Sequence, residues 1–316
     1  MGVGMRTGLV VLLALAAVCA GPARAQEIMS EEMKRRAHLM EIMPADAAKR
    51  HFGGTKTAAS GPPRTIGSYA KGCIAGATAL ALNGPTWQVM RVSRNRNWGH
   101  PELIALLERL AKRGPKEANW PGLLVGDISQ PRGGPMLTGH ASHQLGLDAD
   151  VWLTPKPPRR LNDEELENMS AINAVAADWM DVDPKVWTAA HRDIVRLAAE
   201  EPRVTRIFVN PAIKRAMCRD PGPSRAWLSK VRPMWGHNYH FHIRIACPPG
   251  DANCIDQDPP PDGDGCGKEL TDWLNTQYRA MNAPKRPADP DAKPKPPVFM
   301  PLSAMPDACQ QIVLKR

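Results

Sequence analysis

The chain has 316 residues, a formal net charge of +9, a pI near 9.3 and a mean hydropathy of −0.37, enough length for one large domain with appendages. That charge raises the question of nucleic-acid binding, but no basic run exceeds three residues and no nucleic-acid motif is present, so the excess reads first as a soluble basic surface and, in an exported chain, as attraction to an anionic polymer such as the cell wall or lipid headgroups. No stretch beyond the first 25 residues approaches the roughly 20 apolar residues a membrane-spanning helix needs.

In chain order, Arg6, the apolar run Leu9 to Ala20 and Ala23-Arg24-Ala25 have the anatomy of a cleavable export signal, so residues 1–25 are expected to be a signal peptide and the compartment the periplasm. A lipoprotein reading through Cys19 is disfavoured because Val18 is branched where such sites want a small residue. Residues 26–68 read as an N-terminal arm, charged and helix-compatible to Ala48 and then rich in Gly, Ser, Thr and Pro, with the fold beginning near Tyr69. Pro101 to Arg113 places Leu103, Ile104, Leu107 and Leu110 at helical spacing, with Pro at the start and Gly114 at the end.

Leu123 to Ile128 and Leu147 to Leu153 read as strands, the second alternating Asp148 and Asp150 with Leu147, Ala149 and Val151. Asn162 to Met180 reads as a helix capped by Asn162 or Asp163, Asp193 to Glu200 as another, Arg206 to Val209 and Phe241 to Ala246 as strands. Elements mixed without regular βαβ alternation predict an α+β fold, with a central antiparallel sheet flanked by helices in a domain spanning 69–283. Pro248 to Gly267 is a Pro- and Asp-rich loop carrying cysteines, and 284–316 is a Pro-rich tail. Outside the leader the cysteines number six (Cys73, Cys218, Cys247, Cys254, Cys266, Cys309), which favours three disulfides in an exported chain, although six cysteines allow 15 pairings.

Nine histidines occur, and five sit in two short clusters, GHASHQLGLDADVW (Gly139 to Trp152) and GHNYHFHIR (Gly236 to Arg244). A turn at Gly146 followed by a strand would aim His143 and Asp150 at one point, while His240 and His242, two apart on a strand, share a side. Two imidazoles and one carboxylate are a common ligand set for catalytic Zn2+, leaving a fourth position for water. If His242 is the ligand, His240 is placed as general base or oxyanion stabiliser. Asp148 reads as a supporting or solvated carboxylate, His237 as a substrate contact or a loop residue, His191 as a surface residue, and Trp152, Trp227 and Trp235 as core.

The string SHQLGLDAD, followed by HFHIR, resembles the penicillin-insensitive murein endopeptidases, within the wider group of lysostaphin, D-Ala-D-Ala carboxypeptidase and hedgehog zinc folds. LLVGDIS, VTRIFVNPAIK, WLSKVRP and PDGDGCG are similar to that family too, so the likeness runs from about Cys73 to Cys309. The resemblance implies zinc ligands at His143, Asp150 and His242, a catalytic histidine at His240, another active-site histidine at His237 and an additional metal position at His140. It departs at Met180 to Trp187, where only Asp181 and Asp183 stand in for further metal-binding residues, which argues against a second metal. It also implies disulfides Cys73 with Cys309, Cys218 with Cys266 and Cys247 with Cys254, the first tethering the tail.

The expected activity is hydrolysis of D-alanyl to meso-diaminopimelyl cross-links in peptidoglycan, insensitive to penicillin because no serine nucleophile is involved. The rivals are a D-Ala-D-Ala carboxypeptidase with the same chemistry and a non-catalytic cell-wall binder whose zinc is closed by His240 or His140. Nucleic acid is not an expected partner.

Overall fold

The computed structural model describes residues 31–284 and 297–315. The expected signal peptide and part of the Pro-rich segment lie outside these. Along the described chain the strands are β1 (Arg64–Ser68), β2 (Lys71–Ala75), β3 (Thr78–Ala79), β4 (Trp87–Val89), β5 (Trp98–Gly99), β6 (Leu123–Val125), β7 (Asp148–Trp152), β8 (Val204–Val209), β9 (Val231–Pro233), β10 (His240–Ile245) and β11 (Cys254–Ile255). The helices are α1 (Glu31–Ile42), α2 (Ala48–Gly53), α3 (Pro101–Glu117), α4 (Asp163–Asn168), α5 (Ala189–Glu200), α6 (Pro211–Arg219), α7 (Lys268–Asn282) and α8 (Asp307–Leu314).

The fold is α+β. Its main sheet has the order β4-β6-β7-β10-β8-β9, antiparallel through the centre, with parallel pairs at the two edges. Alternation along the central strands decides what each face does. Ala149 and Val151 of β7 and Phe241, Ile243 and Ile245 of β10 join the main apolar core with Leu103, Leu107 and Leu110 of α3 and Ile194, Val195 and Ala198 of α5. The intervening residues, Asp148 and Asp150 on β7 and His240, His242 and Arg244 on β10, therefore occupy the opposite face. The register sets His242 across from Asp150 and Arg244 across from Asp148.

The chain is packed upstream of Tyr69 as well, since β1 pairs with β2 and β11, and Phe52 of α2 is fully buried. Phe52 and Ile66 form a second, smaller core with Leu302, Met305 and Ile312 from the C-terminal segment. The Cys73–Cys309 disulfide pins α8 to β2, and Cys218–Cys266 and Cys247–Cys254 complete the set.

Three local expectations are corrected. Helix α3 runs through Gly114 to Glu117, the Gly114 carbonyl accepting the Ala118 N–H at 3.0 Å, and the glycine serves close packing, since an added Cβ there would meet Ile194 at 3.3 Å. The helix expected over Asn162 to Met180 is only α4, opened by the Asn162–Glu165 capping box. Beyond it, tertiary hydrogen bonds replace the helical ladder, the Ile172 N–H donating to Thr154 Oγ1 and the Ala174 N–H to the Asn238 carbonyl. His191 is buried, its Nε2 3.0 Å from the Leu153 carbonyl oxygen and its ring between Trp120 and Trp187.

Candidate metal centre

His143 lies in the loop between β6 and β7 and takes the left-handed backbone region, φ +67°, a costly conformation for a residue with a side chain. Two contacts hold it there. Its backbone N–H donates to Asp148 Oδ2 at 3.0 Å, and its Nδ1 is 2.7 Å from the Ile128 carbonyl oxygen. A carbonyl can only accept, so the proton sits on Nδ1 and Nε2 presents a lone pair. Gly146, φ +68°, makes the turn into β7, where an added Cβ would meet the backbone of Gly99 and His100 at 3.1 Å.

The same logic assigns His242. Its Nε2 is 3.2 Å from Asp148 Oδ1, an ionic approach without good hydrogen-bond alignment, which favours the proton on Nε2 and leaves Nδ1 bare. Asp148 is itself gripped by Arg244, Nε to Oδ1 at 2.7 Å and Nη2 to Oδ2 at 3.1 Å, so one carboxylate holds the His242 ring and the His143 backbone.

His143 Nε2, His242 Nδ1 and Asp150 Oδ1 then face one another across 3.1, 3.2 and 3.4 Å. Asp150 Oδ1 is buried and receives no hydrogen bond. Three acceptors at such range repel unless a cation lies between them. A tetrahedral site with bonds of about 2.0–2.1 Å has edges of about 3.3–3.4 Å, so the triangle has the dimensions of a metal's ligand face. Burial pushes the Asp150 carboxyl up, but His240, His143 and His140 pull it further the other way and hold it well below the usual carboxylate range.

The remaining histidines surround this triangle. His240 Nε2 is 3.6 Å from Asp150 Oδ1, its buried Nδ1 has no hydrogen-bond partner, and burial pushes its imidazole down toward the neutral form. His237, also left-handed at φ +52°, donates from Nδ1 to the Trp235 carbonyl at 2.7 Å, and its ring lies tilted against that of His240, 4.8 Å between centroids. His140 Nε2 is 3.0 Å from Asp127 Oδ2 and 3.6 Å from Asp150 Oδ2. His140, His143 and Asp150 form a group able to hold a metal ion, their ligand atoms all within 4.8 Å of one another. His242 joins at shorter range than His140, and His140 Nε2 already meets Asp127.

All the expected site residues thus converge. Asp181 and Asp183 do not, the first pairing with Arg219 at 2.7 Å and the second accepting from the Lys185 N–H. Trp227 and Trp152 are buried, whereas Trp235 is exposed at 43 %, a correction to its reading as core. Asp127, held by Arg96, Arg94 and His140, was missed as a site residue. Its sequence signal is a lone charge in the otherwise apolar stretch Leu123 to Ile128.

A family model described as penicillin-insensitive murein endopeptidase matches residues 65–314. A penicillin-insensitive murein endopeptidase from Haemophilus influenzae is 46% identical over 257 residues, 80% of this chain and 83% of that protein. Those of Yersinia enterocolitica and Klebsiella pneumoniae are 43% and 42% identical over 255 and 253 residues, covering 80% of this chain and 86% and 87% of theirs. The matched segment contains both histidine clusters and all six disulfide cysteines, and the chain belongs to the penicillin-insensitive murein endopeptidase family.

Proposed function

We propose that the protein is a zinc-dependent DD-endopeptidase of the periplasm, hydrolysing D-alanyl to meso-diaminopimelyl cross-links of peptidoglycan, with His143, Asp150 and His242 as metal ligands. The observation that carries this reading is the triangle of three lone-pair atoms 3.1–3.4 Å apart, two of them imidazole nitrogens, a donor set that suits zinc better than calcium or magnesium. The relatives' shared name supports the substrate. The signal-like start of the sequence and three disulfides support an exported, oxidising location. Among the described residues no helix is long and apolar enough to cross a membrane.

When bound, the metal supplies Lewis-acid polarisation of the scissile carbonyl and a water of lowered pKa. The chain's own residues do the rest. His240, its Nε2 beside Asp150, accepts the proton of the attacking water and returns it to the departing amine. His237, with Nδ1 committed to the Trp235 carbonyl, offers Nε2 to the substrate. His140 is the candidate for an additional metal position, though its bond to Asp127 favours a role in holding that carboxylate. No step acylates a serine, the group that penicillin traps, so the drug leaves this activity intact.

Muropeptide chromatography with and without chelator tests substrate, bond and metal together. Cross-linked dimers should become monomers, the conversion should stop with chelator, and zinc should restore it. A zinc-loaded sample that spares the dimers while digesting ordinary L-peptides would sink the assignment.

A further inference from the structure

A cavity of about 230 Å³ opens against the metal centre, lined by Asp150, His140 and His240 together with Arg91, Arg94 and Tyr239. The mechanism above uses neither arginine. Two acidic residues also line the space, but their charges are already committed. Asp127 Oδ2 is met by Arg96 at 2.8 Å, His140 at 3.0 Å and Arg94 at 3.2 Å, and Asp150 belongs to the donor triangle.

Arg91 differs in its partners. Its two terminal nitrogens donate to neutral backbone carbonyls, those of Glu167 and Met169, which orient the guanidinium without cancelling its charge. Its backbone is left-handed, φ +57°, and its N–H donates to the Leu166 carbonyl at 2.8 Å, so a costly conformation is maintained by surrounding contacts. The guanidinium lies 5.6 Å from the centroid of the Trp152 ring, which fixes it further. The result is a pre-set cationic group on the wall of a cavity that contains a ligand carboxylate.

The cross-link has matching chemistry. In a D-alanyl to meso-diaminopimelyl bond, the carbon bearing the scissile nitrogen also bears a carboxylate, so an anion must sit within a few bonds of the reacting centre. Guanidinium forks pair with carboxylates in defined geometry and at roughly twice the strength of neutral hydrogen bonds. We propose that Arg91 forms the subsite for this leaving-group carboxylate and makes the enzyme selective for cross-links in which it is free rather than amidated. This rests on the endopeptidase reading and adds a substrate preference to it.

The test compares two disaccharide-peptide dimers that differ only in whether the diaminopimelyl carboxyl next to the scissile nitrogen is free or amidated. Zinc-loaded wild-type protein should show a kcat/KM about 10- to 100-fold higher on the free acid, the range expected for a charged hydrogen-bonding partner. Arg91→Gln should remove most of that advantage while leaving the amidated dimer within about threefold of wild type, and Arg91→Lys should restore part of it. Damage to the surrounding loops would slow both dimers alike, and that result overturns the proposal. So does a wild-type enzyme that cleaves both dimers at one rate. If a monomeric peptide ending in D-Ala-D-Ala is cleaved faster than either dimer with the same arginine dependence, the subsite serves a chain-terminal carboxylate and the cross-link assignment falls. A wild-type enzyme that turns over no dimer removes the endopeptidase reading itself, separately from the preference.

Discussion

His240 and His242 stand two residues apart on β10, yet their surroundings differ. Asp148 faces His242 at Nε2 and turns its Nδ1 toward Asp150 and His143, whereas His240 keeps a buried nitrogen without a protein partner. His242→Ala should therefore lose both bound zinc and activity. His240→Ala should retain zinc, measured by metal analysis of the purified protein, while the rate on dimers falls about 10²- to 10⁴-fold. Loss of zinc from the His240 variant would instead support a closed, non-catalytic site. Asp148 acts on the metal only through others, by holding His242 and the His143 backbone, and it is paired with the buried guanidinium of Arg244. Asp148→Asn should weaken zinc binding about 10- to 100-fold in a competition titration. It should also lower the unfolding midpoint, because Arg244 stays buried with its counter-charge gone.

At the level of elements, the pairing of β7 with β10 carries most of the site. Register alone puts His242 opposite Asp150, and the loop before β7 needs Gly146 to return His143 to the same face. Helix α6 shows a different kind of constraint. Lys214 is fully buried and its Nζ donates to the carbonyls of Leu228 at 2.8 Å and Asp264 at 2.5 Å, tying the helix to the loop closed by Cys218–Cys266. Burial, with Arg232 adding to it, pushes its ammonium down to about 7. Below that pH both folded and unfolded chains carry the proton and the cost of burying the charge is fully present. Between about pH 7 and 10 the unfolded chain holds more protons than the folded one, so stability should rise with pH across that window. Urea unfolding at pH 7 and pH 9 should show the rise, and Lys214→Met should flatten this component of the slope.

Over the whole molecule, the smaller core under α2 and α8 depends on a bond between residues 236 apart in sequence. Loops of that length lose much entropy when closed, so Cys73→Ala with Cys309→Ala should cost about 2–5 kcal/mol, read as a lower thermal midpoint under non-reducing conditions. The candidate metal centre lies elsewhere, on the main sheet, so zinc stoichiometry should be unchanged in that double variant. Chelation should also lower the thermal midpoint, because the mutually repelling acceptors lose their cation, but it should leave the C-terminal segment in place and be reversed by adding zinc.

The sequence by itself determined which donor side chains share a face, because residue type and spacing along one strand decide it. His240 and His242, or Asp148 and Asp150, could be paired on paper, and the α+β class followed from the order of apolar periods. Local rules failed where distant partners supplied the deciding contacts. Gly114 sits inside a helix where Ile194 approaches closely, the segment after Asn168 is irregular because Thr154 and Asn238 take its N–H groups, and His191 is buried because two tryptophans enclose it. Only the tertiary structure brought Asp127, Arg91 and Arg94 to the metal centre. Their distances from the histidine clusters in sequence carry no periodic signal, and Coulomb attraction depends on separation in space, which the chain order does not encode.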